Sequence, residues 1–293
     1  MSPSPLQVAP KFMLLGFLFS LAVALSDGAA TEEAPPPAKI AHSARALDPA
    51  SVDANAEREL LALVNRARAQ ADLPPLQPDP ELTQAAREHA SAMAAHQQLS
   101  HQFSGEPDLA RRVGNLTLHL DEAAENVATA DSADRAHEGL MNSPSHRENL
   151  MHPAYNIAGF GVVRRGSALY VVEDFGHSLP IYSATQAAEL AARSVTSARA
   201  EVQMPQLQRR DGSSFQNDAC TAVRSGSLIR ASATAPPQSR YIYRYTVMQP
   251  ESLPSVINSA IGDGGIRAFA VGACFAKSDR YPDGVYAMML VFY

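Results

Sequence analysis

The sequence predicts an α+β layered fold on three observations: helical periodicity in the stretch that opens the globular part, a strand-turn-strand unit after it, and a second passage later in the chain that repeats this order. Over residues 56–71, Leu60, Val64, Ala67 and Ala71 recur at helical spacing, with Arg66 and Arg68 placed off that stripe. Leu73-Pro74-Pro75 ends this helix, because proline has no amide hydrogen and restricts the residue before it. A second helix is predicted over residues 80–99, capped by Asp79 and rich in alanine and methionine on its packing side. Residues 133–141 read as a third helix and residues 146–151 as a short fourth, with Ser143 or Ser145 as its cap and Pro144 in its first turn. Strands are predicted over residues 157–164 and 168–175, joined by Arg165-Gly166-Ser167, and residues 178–183 read as a junction.

Outside this core the chain is organised by composition. Lys11 precedes an uninterrupted apolar run over residues 12–25, followed by small residues, which is the order of an export signal and is short for a membrane span. Residues 1–30 are therefore expected to be a signal peptide, cleaved after Ser26 or Ala30, and residues 31–55, rich in alanine, proline and glutamate, a flexible linker. The protein is expected outside the cytoplasm, secreted or periplasmic, with no stable membrane span once the signal is removed. The net charge of -6, with no long basic run, leaves no footprint for nucleic acid or an anionic membrane surface. Only two cysteines occur, Cys220 and Cys274, and an isolated pair in an exported chain points to a disulfide ahead of a metal site or a nucleophile.

Residues 64–77 (VNRARAQADLPPLQ) and 195–208 (VTSARAEVQMPQLQ) agree at seven of fourteen positions at one constant offset, and the two passages IAGFGVV at Ile157 and AFAVGAC at Ala268 share a glycine among apolar residues. Each of the latter is followed by a turn and a strand led by Tyr170 or Tyr286. The halves read as two copies of one unit, residues 56–179 and 180–293, with Cys220 on the second helix of the copy and Cys274 on its first hairpin strand. The alternation over residues 241–245 puts Tyr241, Tyr243 and Tyr245 on one strand face.

All nine histidines lie at or before His177, which places the chemistry in the first half. Four landmarks stand there in order: LSHQFSG at Leu99, AAENVA at Ala123, NSPSHRENLMHP at Asn142, and IAGFGVV with YVVEDFG at Ile157 and Tyr170. In this order the passage resembles the bacterial branch of the CAP superfamily of cysteine-rich secretory, venom-antigen and pathogenesis-related proteins. The resemblance implies an α-β-α sandwich with a cleft lined by two histidines and one or two glutamates. Matched residue by residue, it implies His101 as the first histidine, Glu125 as the glutamate of an Ala-Glu-Asn turn, and His146 as the second histidine. A further family glutamate aligns near Ser143, leaving Glu138 or Glu173 as the fourth cleft residue.

Two imidazoles from separate segments can offer lone pairs to zinc or another divalent cation, and a nearby carboxylate can orient or deprotonate a bound water. The same His101, Glu125 and His146 can equally form a structural hydrogen-bond network. His89, His96, His137 and Glu138 read as solvated or capping residues, and Asn126 as a backbone-bonding turn residue. No Gly-x-Ser-x-Gly elbow, His-Glu-x-x-His helix or Walker-type loop occurs. The resulting expectation is an exported module whose cleft binds a divalent metal, a lipid or another small envelope ligand. The alternatives are a metal-assisted hydrolase of peptidase or esterase type with Glu125 as base, and a non-catalytic envelope interaction protein. The second half has no histidine and is expected to be a degenerate copy.

Overall fold

The computed structural model describes residues 50–225 and 236–293, so the expected signal peptide and all but the end of the expected linker lie outside the described residues. The linker's end is ordered instead: a two-residue strand, β1 (Ser51–Val52), pairs antiparallel with the later hairpin, and Asp53 caps the first helix by accepting the Ala56 N–H. That helix, α1 (Ala54–Gln70), buries Leu60, Val64 and Arg68. This corrects the placement of Arg68 off the packing stripe. Its side chain is wholly buried because every arm of the guanidinium meets a carbonyl: Nε bonds Pro74 O (2.9 Å), Nη1 bonds Leu150 O (3.0 Å) and His152 O (2.9 Å), and Nη2 bonds Tyr155 O (3.1 Å).

The next elements are β2 (Gln77–Pro78), α2 (Pro80–His96), capped by Asp79, α3 (Leu109–Gly114) and β3 (Leu120–Ala130). They are followed by α4 (Ala133–Asn142), α5 (Pro144–Leu150), β4 (Ile157–Arg165) and β5 (Ala168–Ser178). Helix α2 stops short of its expected end because Gln97 turns left-handed, at φ 52°. The Ala-Glu-Asn passage is strand β3, not a turn, and carries too few β-branched residues to signal a strand by itself.

The first sheet runs β1-β4-β5-β3, with β2 parallel on the same edge of β4 as β1. One face packs Leu60, Val64, Leu140, Leu150, Phe160 and Phe175 under α1, α4 and α5, and the other packs Ala86, Ala90, Met93, Tyr170 and Val172 under α2. The first half is thus an α-β-α sandwich. Helix α2 lies directly on β4, where a methyl group on Gly161 would overlap the backbone of Ala86 and Arg87, so this strand position admits only glycine.

The second half contains α6 (Ala184–Glu201), β6 (Gln208–Arg209), α7 (Gln216–Arg224), β7 (Tyr241–Val247), α8 (Asn258–Ile261), β8 (Ala268–Ser278) and β9 (Tyr281–Phe292). Its sheet runs β6-β8-β9-β7, with β6 parallel to β8 and the other pairs antiparallel, the arrangement of β2-β4-β5-β3. Arg199 repeats Arg68: it is buried, Nε bonds Pro205 O (3.1 Å), and Nη1 bonds Ile261 O (2.9 Å) and Asp263 O (3.0 Å). Gly272 lies against Phe215 and Gln216 as Gly161 lies against α2. Tyr241, Tyr243 and Tyr245 share the face toward α6 and α8.

Cys220 on α7 and Cys274 on β8 form a disulfide spanning 54 residues. Closing a loop of that length restricts the unfolded chain, so reduction, or Cys220→Ser with Cys274→Ser, is expected to lower stability by about 2–4 kcal/mol. Urea titration with and without reductant checks this; coincident curves would contradict it.

The halves meet where Lys277 donates to the carbonyls of Gly114 and Leu116. Beside it the buried His119 reaches Met248 O (2.8 Å) and Asp283 O (3.1 Å) with its two ring nitrogens.

Candidate functional site

The candidate residues gather at the β3 edge of the first sheet. Register pairs Glu125 with Asp174 and Asn126 with Glu173 across β3 and β5, so strand alternation sends the first pair to the α2 face and the second to the α5 face. His101, in the loop after α2, is the open member, with 59% of its side chain exposed, and its Nδ1 lies 2.8 Å from Glu125 Oε1. The carboxylate is the acceptor, so Nδ1 carries the proton in this contact. The other oxygen, Oε2, accepts from the Arg112 guanidinium. Glu125 is therefore a buried carboxylate with one oxygen on His101 and the other on arginine.

The layer beneath is polar and packed. His89, expected to be solvated or capping, is fully buried, with Nδ1 2.6 Å from Glu106 Oε1 and Nε2 2.8 Å from Ser100 O. Both of its nitrogens face acceptors, which ties the loop carrying His101 to α2. Burial, reinforced by the charge of Glu125, holds the Asp174 carboxyl well above the ordinary range, while Arg112 pulls it the other way. Asp174 is fully buried and, among the described residues, neither of its side-chain oxygens has a hydrogen-bond partner, so protonation spares the fold a buried unpaired charge.

On the α5 face, His146 is half-buried and its Nδ1 lies 2.9 Å from Ser143 Oγ. Ser143 occupies the cap position of α5, as expected, but makes no side-chain cap bond; its hydroxyl is turned onto His146 instead. Burial, and then the charge of His101, lower the His146 pKa and favour the neutral ring. Asn126, buried within β3, donates to His146 O (3.1 Å) and to Glu173 Oε2 (3.2 Å) and accepts from Asn149 (2.9 Å). It anchors α5 to the sheet, which corrects its reading as a turn residue. Burial pushes Glu173 up to about 8, against the opposing effect of its Asn126 bond.

The structure thus brings His101 and Glu125 into direct contact, while His146 lies on the α5 face with Ser143 as its own bonding partner. Of the two fourth-residue candidates, Glu138 is exposed and paired with Arg135 (2.8 Å), and Glu173 is sealed on the opposite sheet face from Glu125. Among the described residues, no group of three or more His, Cys, Asp or Glu is placed to hold a metal ion. At Glu125 both carboxylate oxygens are engaged, one by His101 and the other by Arg112.

Sequence reasoning missed Arg112, Asp174, His89 and Glu106. The signal for Asp174 was present, since adjacent acids in YVVEDFG sit on a strand too apolar for either to face water. Arg112, on a six-residue helix, left no periodic trace.

The α-β-α sandwich with histidines and a glutamate at one sheet edge agrees with what the sequence resemblance to CAP proteins implies. Residues 61–175 match the model of the cysteine-rich secretory protein family, CAP, and this stretch of the chain is a CAP domain of the bacterial type. The chain is 32% identical over 123 residues to the YkwD protein of Bacillus subtilis (strain 168), a match covering 41% of this chain and 46% of that protein, so it spans under half the relative's length. Among solved structures it is similar to an extracellular Bacillus anthracis protein containing an SCP domain, at 24% identity, 42% of this chain, 40% of that chain and a TM-score of 0.39. It is also similar to an outer surface protein of Borrelia burgdorferi, at 19% identity, 45% of this chain, 100% of that chain and a TM-score of 0.42. No helix among the described residues is long and apolar enough to cross a membrane.

Proposed function

We propose that this is an exported, non-catalytic binding protein whose CAP domain holds a small polar ligand between His101 and His146. Export is supported by the apolar run after Lys11 and by a disulfide of the kind that persists in oxidising compartments. The observation that carries the binding reading is the double engagement of Glu125. One oxygen fixes the tautomer of the exposed His101, and the other is neutralised by Arg112, which withdraws Glu125 from duty as a general base. The half-buried His146 adds a neutral ring nearby, suited to hydrogen bonding.

Residues 180–293 are read here as a second copy that keeps the plan and drops the chemistry. At the register positions of Glu125, Glu173 and Asp174 stand Ile242, Leu290 and Val291. Their role is scaffolding for the α3 face of the first copy.

Native mass spectrometry of protein purified from its producing cell is expected to show a bound small molecule that His101→Ala and His146→Ala both lose. A wild type that carries no adduct, and whose two imidazole resonances ignore a panel of small polar solutes, would overturn the proposal. Zinc is expected to give no saturable heat in calorimetry; saturable heat lost in both variants would restore the metal reading. The Ser143–His146 pair favours a second reading, ester hydrolysis with His146 as base, and turnover abolished by Ser143→Ala would establish it.

A further inference from the structure

Comparison of the two copies exposes a difference away from the His101 edge. In the first half Glu57 is buried at the β1 edge of β4, where its Oε1 accepts the Val162 N–H (3.3 Å) and Arg87 Nε (2.8 Å) and its Oε2 accepts Arg87 Nη2 (2.6 Å). The Asp53 N–H completes this edge by bonding Val162 O (2.8 Å). A carboxylate and a short strand thus satisfy the outward-facing backbone of β4.

The correspondence is fixed independently at two places. Arg68 matches Arg199 by their shared carbonyl bonding, so Glu57 matches Ala188 at the same offset. Gly161 matches Gly272 by their contact with a helix that precedes each strand, so Val162 matches Ala273. The second copy therefore has a methyl group where the first has a carboxylate, and a cavity of about 160 Å³ lies there, lined by Ala188, Gly212, Gln216, Gly272 and Ala273.

The Ala273 N–H faces this cavity. Phe269 O accepts the Arg210 N–H (2.8 Å) on the β6 side, and backbone polar groups two and four residues along the same strand turn the same way. Ala273 lies beyond the end of β6, is 1% exposed, and among the described residues has no counterpart of β1 beside it. A buried amide directed at a cavity in place of an acceptor is costly to leave unpaired. Arg209 and Arg210 stand at the mouth, the first paired with Glu189 and the second 4.2 Å over the Tyr293 ring. Asp211, also at the mouth, has its carboxylate turned onto the Ser213 N–H (3.0 Å) and hydroxyl (2.8 Å).

We propose that this cavity is a binding site for a small carboxylate, which takes the place that Glu57 fills in the first copy and accepts the Ala273 N–H. The source of the carboxylate is either a free organic acid or the C-terminus of a short peptide. The test is an amide NMR titration of the full chain with acetate at constant ionic strength. The Ala273 and Gly272 resonances are expected to move and saturate. Ala188→Glu is expected to show the shifted Ala273 position without acetate and to ignore the titration. Ala188→Leu, which fills the cavity without an acceptor, is expected to ignore the titration from the unshifted position and serves alone if the glutamate variant does not fold. A tripeptide with a free C-terminus competing with acetate, while its amidated form does not, assigns the peptide source; competition by neither assigns the free acid. An unmoved Ala273 amide in wild type, or an equal response in wild type and Ala188→Leu, would overturn the proposal.

Discussion

Arg68→Leu is expected to cost about 3–5 kcal/mol of folding stability, because several buried carbonyls lose their charged donor at once. Among the described residues the guanidinium is the donor to four carbonyls drawn from two distant stretches, Pro74 on one side and Leu150, His152 and Tyr155 on the other. Leucine would restore apolar volume but leave those oxygens buried without a donor, at about 1–3 kcal/mol each before relaxation. Arg68→Lys is expected to fall between, because an ammonium is a point donor and cannot span the positions that the planar fork reaches. Urea unfolding of both variants, against the exposed Arg58→Ala as a control, reads the result directly. A midpoint for Arg68→Leu indistinguishable from that control would show the network to be dispensable. Since α5 carries His146, the same variant is expected to loosen the α5 side of the site.

Arg68 also shows what the sequence could and could not reveal. The Ala-Arg-Ala match between Val64 and Gln77 and its later counterpart suggested a repeat, and within it Arg68 and Arg199 each donate to buried carbonyls. Periodicity alone placed Arg68 with the solvent-facing residues, because a hydropathy pattern cannot see carbonyls arriving from 82 to 87 positions away. The site divides in the same way. His101, Glu125 and His146 were legible from ordered landmarks, whereas Arg112 and His89 act through contacts that exist only once α2, α3 and β3 have packed. The helix capped at Asp79 was readable, while β3 was hidden by its alanines and acids.

The second large effect concerns pH. Glu173 is wholly buried, and its carboxyl is pushed up to about 8 from an ordinary 4.5. Below 4.5 folded and unfolded chains both hold this proton, and the contribution to stability is fully present. Between 4.5 and about 8 the unfolded chain releases the proton and the folded chain keeps it, so stability falls as pH rises, by up to about 1.4 kcal/mol per pH unit from this one group. Above that window both states are ionised and the slope ends. Asp174, raised for the same reason, adds to the loss, whereas His146, pushed down by burial, opposes it by favouring the folded state as pH rises toward 6.5. Glu173→Gln replaces the acid with a neutral group of the same shape that cannot ionise. The variant is therefore expected to lose much of the slope and to be more stable than wild type near pH 8, provided that its amide still meets Asn126. Urea midpoints collected from pH 5 to 8.5 decide the matter. Parallel curves for the two proteins, or a wild type that gains stability across that range, would mean that Glu173 is ionised inside the fold and that α5 is anchored to the sheet by a charge after all.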